Sequence, residues 1–82
     1  MNTDRIKELA MSDNGFIFDP TTGYSYHTNE LGFYILRMLQ RDHKKEEITK
    51  QIIKEYDISE DHLIHDYDHF IMMLESLKLV ED

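Results

Sequence analysis

The amino-acid sequence predicts a small α+β protein of the winged helix-turn-helix type, in which a three-stranded antiparallel sheet precedes three helices. Aromatic segments with a period of two lie before residue 28, and turns containing glycine separate them. From residue 29 onward, apolar residues recur at a helical period of about 3.6. The chain of 82 residues contains one proline and is expected to form a single domain, residues 1–82.

Composition limits the functions that this chain can have. Seventeen acidic residues against nine basic ones give a formal net charge of −8, which favours solubility and repels nucleic acid. The chain has no cysteine, so it can form neither a disulfide nor a thiolate metal site. It also shows no apolar run long enough to cross a membrane and no secretion signal after Met1, and a cytoplasmic location is expected.

Three antiparallel strands are predicted in the first third of the chain. They cover residues 6–11, 16–18 and 24–27, the last two rich in the aromatic residues that favour strands. Asn14 and Gly15 favour a type I′ hairpin turn between the first two strands. The result is a meander with residues 16–18 at its centre.

The second turn leads into a strand whose edge is unprotected. Pro20 fixes its own φ, Asp19 can accept a hydrogen bond from nearby backbone, and Gly23 tolerates a positive φ. The first strand carries Lys7 and Glu8, which would guard its edge, whereas the third has no charge, proline or bulge. The third strand is therefore predicted to be open to pairing with another chain.

The side chains of the third strand are expected to alternate between the two faces of the sheet. Tyr24 and Tyr26 are predicted to point inward, toward the helices, and Ser25 and His27 outward.

Three amphipathic helices are predicted after the sheet. Asn29 is a good N-cap for the first, and Gly32 inside it indicates close backbone packing. The second spans about residues 45–56, and Ser59 caps the third, which runs to about residue 77. The apolar residues expected to face the core are Leu31, Ile35, Met38, Leu39, Ile48, Ile52, Ile53, Tyr56, Leu63, Ile64, Tyr67, Phe70, Ile71, Leu74 and Leu77.

The third predicted helix carries a set of side chains that could hold a metal ion. His62, His65, Asp66 and His69 project from one side of it. A solvated polar face is the favoured interpretation, because no motif for an open catalytic site accompanies the histidines. No serine lies in a nucleophile-elbow context either, so neither catalysis nor a cofactor or metal is expected.

Two methionines border the apolar stripe of the third helix. Met72 and Met73 are typical of core filling, but methionine is also frequent on adaptable binding surfaces. Together with the open strand, this margin could form a groove.

A winged-helix DNA-binding regulator is the alternative function. Such a protein needs cations where its third helix meets phosphate. Residues 55–77 contain seven acids and neither lysine nor arginine. A nucleic-acid partner is therefore not expected.

An ordered set of residues extends through nearly the whole chain. It consists of Phe16-Ile17-Phe18-Asp19-Pro20, Gly23-Tyr24, Asn29-Glu30-Leu31-Gly32, Ile35-Leu36, Glu47-Ile48, Tyr56, Asp66, Phe70-Ile71, Leu74 and Leu79-Val80. Its order and spacing resemble those of the PqqD family. The domain of that family is the RiPP recognition element, a winged-helix-like fold of three strands and three helices.

The resemblance implies a function. Proteins similar to this one bind the leader segment of a ribosomally made precursor peptide and present it to a modifying enzyme, often a radical SAM protein. Pyrroloquinoline quinone (PQQ) synthesis is one pathway that the wider family serves. No nucleic acid or membrane is implied as a partner, and the protein itself is expected as a monomer or as a homodimer paired through the open edge.

The resemblance also implies where the leader binds. The leader adds as a strand to the third strand and lies against the third helix, and the acids around that helix favour leaders that carry lysine or arginine. The peptide-binding residues that the resemblance implies are Tyr24, Ser25, Tyr26 and His27 on the strand, and Tyr67, Asp68, Ile71 and Met72 on the helix.

Three positions depart from the usual family pattern. Asp42 stands where glycine commonly precedes the second helix, and Lys44 stands where threonine commonly caps it. Lys78 replaces a glycine that commonly precedes the final Leu-Val pair. These positions concern turns and caps, so they bear on the subfamily more than on the fold.

Overall fold

The computed structural model describes residues 1–81, which form a three-stranded antiparallel sheet and four helices. The elements in chain order are α1 (Asp4–Lys7), β1 (Ala10–Met11), β2 (Phe16–Phe18), β3 (Ser25–His27), α2 (Glu30–Gln40), α3 (Lys45–Glu55) and α4 (Glu60–Ser76). The strand order β1-β2-β3 places β2 at the centre and β3 at an edge. The predicted α+β class, a sheet followed by three long helices, is confirmed, and the winged-helix detail stays a prediction.

The first predicted strand, residues 6–11, is wrong over its first four residues. Residues 4–7 form α1, and only Ala10 and Met11 pair with β2. The two charged residues predicted to guard this edge therefore lie at the end of the helix or just after it. Pairing of another strand with this edge is limited instead by the length of β1, since a strand of two residues offers few backbone groups for hydrogen bonds.

Contacts from distant parts of the chain explain why the segment is helical. Ile6 is fully buried in the core, and Asn2 Oδ1 accepts the N–H of Asp4 at 2.9 Å where the helix begins. At the other end, Gln40 Nε2 of α2 donates to the carbonyls of Ile6 and Leu9, at 2.9 and 3.1 Å. Carbonyls at the end of a helix need partners: the Ile6 carbonyl also accepts the Leu9 N–H at 3.1 Å, and the Leu9 carbonyl is satisfied by this glutamine from more than thirty residues away.

The turn between β1 and β2 is not the predicted type I′ turn. That turn requires a positive φ at both central residues, and of Asn14 and Gly15 only Gly15 has one, 86°. The Gly15 N–H donates to the Ser12 carbonyl at 3.0 Å, and the loop comprises residues 13–15. A three-residue loop with a left-handed last residue also joins antiparallel strands, so the hairpin forms with a different connection.

The two faces of the sheet differ sharply in exposure. Ile17 of β2 is 5% exposed and Tyr26 of β3 packs against the core, whereas Phe16 is 57% exposed on the outer face. The predicted directions of Tyr26 and of the exposed Ser25 and His27 are confirmed. The register that produces this alternation pairs Phe16 with His27, Ile17 with Tyr26 and Phe18 with Ser25.

Tyr24 does not follow the alternation, and its predicted inward direction is wrong. It lies just before β3, at the end of the turn that follows Asp19, and is 65% exposed. The turn itself is as predicted: Asp19 Oδ1 accepts the Thr21 N–H at 2.9 Å, and Gly23 has a φ of 79°.

The predicted N-caps of the first and third long helices are confirmed. Asn29 Oδ1 accepts the N–H of Gly32 at 2.8 Å at the start of α2. Ser59 Oγ accepts the N–H of His62 at 3.3 Å at the start of α4. These bonds satisfy amides in the first turn that have no partner within the helix.

The core lies between the inner face of the sheet and the helices. Ile53, 39% exposed, and Leu77, 40% exposed, were predicted to face it, and this is wrong. Ile53 is rotated by about 100° from the buried Ile52 on α3, and Leu77 lies beyond the last residue of α4. The buried apolar residues are Ile6, Leu9, Ile17, Ile35, Leu36, Leu39, Ile48, Ile52, Leu63, Tyr67, Leu74, Leu79 and Val80.

Helices α2 and α4 are each followed, two residues after their last residue, by a residue with a left-handed backbone. Asp42 has a φ of 63° and Lys78 a φ of 61°. After each, the amide of the next residue donates to a carbonyl in the last helical turn, at 3.1 and 2.9 Å. This pattern usually contains glycine, and these are two of the positions where the resemblance led us to expect one.

The turn at Lys78 returns the chain toward its beginning. Leu79 and Val80 are buried in the core, and Glu81 forms an antiparallel bridge with Asn2. In that bridge the Asn2 N–H donates to the Glu81 carbonyl at 2.6 Å.

Candidate functional site

Hydrogen bonds beyond both ends of β3 determine which of its backbone groups turn toward β2. The Asp19 N–H donates to the Tyr24 carbonyl at 2.9 Å, and the Thr28 N–H donates to the Gly15 carbonyl at 3.0 Å. Opposite residues in an antiparallel pair alternate between those that exchange hydrogen bonds and those that do not. The backbone groups of Tyr26, midway between these two positions, therefore also point toward β2.

The backbone N–H and C=O groups of Ser25 and His27 consequently point away from β2, along the free edge of the sheet. Both residues are exposed, and β3 contains no charged acid or base, proline or bulge that would hinder a further strand. This edge can accept another extended chain through its main-chain groups.

A groove of about 380 Å³ lies between the end of β3 and helix α4, and we call it the β3–α4 groove. Ligand pockets in proteins commonly have volumes of about 300–1,000 Å³. The lining residues are His27, Thr28 and Asn29 on the strand side, Leu31, Gly32 and Ile35 of α2, and Asp66, His69, Phe70 and Met73 of α4.

The close approach of α2 and α4 shapes this groove. A Cβ atom on Gly32 would lie 3.0 Å from Phe70 Cε1, a separation too short for an ordinary contact, so the predicted close packing at Gly32 is confirmed. Ile35 is buried beneath it. The groove therefore combines apolar side chains of α2 and α4 with polar ones, beside an open strand edge.

The β3–α4 groove is lined by an acid but by no lysine or arginine. The acid, Asp66, is half-buried in it. Within residues 1–81 the Asp66 carboxylate has no salt-bridge partner. By contrast, Asp68 of the same helix lies 2.9 Å from the ammonium nitrogen of Lys45.

Three of the predicted peptide-binding residues lie on the other flank of α4. Tyr67, Asp68 and Ile71 line a separate cavity of about 550 Å³, next to the start of α3 and the N-terminal residues. Burial raises the pKa of the Tyr67 hydroxyl, and the negative charges of Asp68 and Glu46 add to this effect. The structure does not bring these side chains together with β3.

The fourth predicted helix residue, Met72, is 66% exposed and lines neither cavity, whereas its neighbour Met73 lines the β3–α4 groove. The predicted peptide-binding set omitted four groove residues of α4, although the sequence places one of them, Met73, on a margin that could form a groove with the open strand. The four are Asp66, His69, Phe70 and Met73. Their spacing of i, i+3, i+4 and i+7 places them on one face of a helix, and this signal could have identified them as a group.

The histidines of α4 do not converge on a metal site in the part of the chain that the structure describes. No three or more histidine, aspartate or glutamate side chains among residues 1–81 are placed to hold a metal ion. Over the same residues, no helix is both long enough and apolar enough to cross a membrane.

Comparison with known proteins identifies the family of this chain. The family model described as coenzyme PQQ synthesis protein D (PqqD) matches residues 14–80, which include β2, β3, α2, α3 and α4. Neither the comparison with curated proteins nor the comparison with solved structures gave a match. Because the matched segment covers most of the sequence, the chain belongs to the PqqD family.

Proposed function

We propose that this protein is a non-catalytic peptide-binding protein of PQQ synthesis or a related pathway. It captures the leader segment of a ribosomally synthesised precursor peptide and presents it to a modifying enzyme such as a radical SAM protein. Membership of the PqqD family supports an accessory role of this kind. The proposal rests on one observation, the free edge of β3 beside a groove that is lined by both apolar and polar side chains.

The leader adds to β3 as a fourth strand. The outward N–H and C=O groups of Ser25 and His27 supply main-chain hydrogen bonds to it. Strand addition gains affinity from such bonds and specificity from the pockets that alternate side chains enter. Because side chains alternate along a strand, every second leader residue points into the β3–α4 groove.

The wall of the groove on α4 is formed in this proposal by Phe70 and Met73. Both line the same groove as the end of β3, and both present apolar atoms to it. Tyr67, Asp68 and Ile71 lie around the other cavity of α4, so they contact the leader only if it extends around the helix.

The alternative of DNA binding has weaker support. Residues 60–76, which form α4, contain neither lysine nor arginine, and Lys45, which lies next to this helix, is paired with Asp68. A recognition helix needs unpaired cations to contact phosphate.

An amide chemical-shift titration tests the proposal. The ¹⁵N-labelled protein is titrated with a synthetic peptide that covers the leader of the precursor encoded beside this gene. We expect shifts concentrated in residues 25–28 and along residues 66–73. Shifts centred on residues 44–54, or no shifts at all, would refute the proposal.

Two neighbouring methionines provide a matched pair of variants. Met73 is 43% exposed in the free protein and is covered only when the leader binds, so Met73→Asp replaces an apolar contact in the β3–α4 groove by a carboxylate that must lose hydration on binding, and should weaken leader binding at least tenfold. Met72→Asp adds the same charge at an exposed position and should leave the affinity nearly unchanged. The reverse result would place the leader on the other flank of α4, as the carried-over residues Asp68, Ile71 and Met72 imply.

A further inference from the structure

The β3–α4 groove has a feature that apolar packing alone does not explain. Asp66 is half-buried beside Phe70 and Met73 and has no salt-bridge partner within residues 1–81. A carboxylate that has lost part of its hydration gains most from a charged donor placed against it.

Acidic residues also lie around the strand edge outside the groove. A neighbouring cavity of about 470 Å³ shares His27, Thr28 and Asn29 with the groove and is also lined by Asp13 and Glu30. Neither cavity has a lysine or arginine in its lining. Apart from histidines, the ionisable side chains that line these two cavities beside β3 are therefore all acidic, although the Arg37 guanidinium lies over the ring of Phe33, which lines the second cavity.

We infer that Asp66 is a specificity-determining residue that selects leaders with a lysine or arginine side chain pointing into the groove. The inference rests on the proposed function, since it concerns the peptide added to β3. Lysine and arginine fit both parts of this surface, because their aliphatic stems pack on apolar atoms while the charged end reaches a carboxylate. The stem lies against Phe70 and Met73, and the cation pairs with Asp66.

Asp68 offers a matched control on the same helix. It carries the same charge two residues further along, but it lines the other cavity and is paired with Lys45. Asp66→Asn and Asp68→Asn change the net charge equally, so a difference between them reports contact with the peptide and excludes long-range attraction as the cause.

The test uses a displayed library of short linear peptides of random sequence, selected at near-neutral pH on the wild-type protein, Asp66→Asn, Asp68→Asn and Ser25→Pro. We expect wild type and Asp68→Asn to enrich peptides with lysine or arginine at a fixed even spacing from apolar residues. Peptides selected on Asp66→Asn should keep the pattern of apolar residues but should no longer be enriched in lysine or arginine. For one enriched peptide, replacing its cation by glutamine should cost about 3- to 10-fold in affinity on wild type and almost nothing on Asp66→Asn.

The outcomes separate the inference from the proposed function. If Ser25→Pro abolishes selection but Asp66→Asn still enriches lysine and arginine, strand addition stands and the role of Asp66 is refuted. If the enrichment of lysine and arginine in the selected peptides is lost equally on Asp66→Asn and Asp68→Asn, the role of Asp66 is refuted as well. If Ser25→Pro, with its fold intact, selects the same peptides as wild type, the proposed function itself fails.

Discussion

Gly32 of α2 and Phe70 of α4 are so close that the glycine has no room for a side chain. A Cβ atom on Gly32 would lie 3.0 Å from Phe70 Cε1 and would also collide with the Thr28 hydroxyl. The pair therefore sets the separation of the two helices at the base of the β3–α4 groove.

Gly32→Ala should destabilise the protein although alanine favours helices. The substitution gains about 1 kcal/mol of helix propensity. Overpacking against Phe70 and Thr28 costs about 1–3 kcal/mol, so we expect the free energy of unfolding to fall by about 1 kcal/mol. Urea unfolding followed by circular dichroism measures this change. An increase in stability would show that the helices separate freely at this point.

Ser25→Pro should weaken leader binding and leave the fold intact. The Ser25 N–H points along the free edge, so its loss removes one main-chain bond to the peptide, worth about 1–3 kcal/mol. Isothermal titration calorimetry with the leader peptide measures the change in affinity.

Two variants control for side-chain loss and for the direction of the amide. Ser25→Ala keeps the amide and should bind normally. Tyr26→Pro removes an amide that points toward β2 and should unfold the sheet. Normal binding by Ser25→Pro would mean that the leader does not use this edge.

Lys78→Gly should stabilise the protein. Lys78 has a φ of 61°, and a left-handed backbone costs a residue with a side chain about 1 kcal/mol relative to glycine. We expect the free energy of unfolding to rise by about 0.5–1 kcal/mol, part of the gain being lost to the greater freedom of glycine in the unfolded chain. Ser76→Gly, inside the last turn of α4, should instead destabilise the protein by about 0.5 kcal/mol, the difference in helix propensity between serine and glycine. If the free energy of unfolding changed in the same direction in Lys78→Gly and Ser76→Gly, the left-handed backbone at Lys78 would not be the cause.

Acid should destabilise the protein partly through Asp19. Burial by itself raises the pKa of this carboxyl, but hydrogen bonds from Thr21 and Thr22 and the guanidinium of Arg5 outweigh it and hold the pKa below its ordinary value of 3.8. The folded state therefore binds fewer protons than the unfolded state in acid. The stabilisation from Asp19 is complete above the ordinary pKa and is lost as the pH falls through the lower pKa of the folded state.

Urea unfolding at a series of pH values between about 7 and 2.5 measures this loss. Asp19→Asn should be less stable than wild type at neutral pH and should lose less stability on acidification. Glu47, whose pKa is lowered by the Lys44 amide and by His43, contributes in the same direction, so some pH dependence should remain. Parallel pH profiles for wild type and Asp19→Asn would show that this carboxyl carries none of the effect.

Features set by neighbouring residues could be predicted from the sequence. Asn29 and Ser59 cap helices through bonds that reach three residues along the chain. The open edge of β3 follows from the absence of charge and proline in it, and the outward Ser25 and His27 follow from alternation. Local chemistry is sufficient for each of these.

Features set by distant residues could not be predicted. The helix at residues 4–7 is stabilised by the burial of Ile6 in the core and by Gln40, which donates to the Ile6 and Leu9 carbonyls from more than thirty residues along the chain. The apolar stripe of α4 likewise has two flanks, and only packing decides which of them faces the strand. α3 covers the flank of Tyr67 and Asp68, which leaves Phe70 and its neighbours to the sheet.

The bridge between Asn2 and Glu81 brings both ends of the described chain to one place on the surface. Neither residue lines the β3–α4 groove, and the adjacent Met1 and Thr3 line the cavity on the other flank of α4. A tag, an immobilising linker or a fused enzyme joined at either end would therefore leave from the same point. From that point the protein can be tethered with its open strand still facing solution.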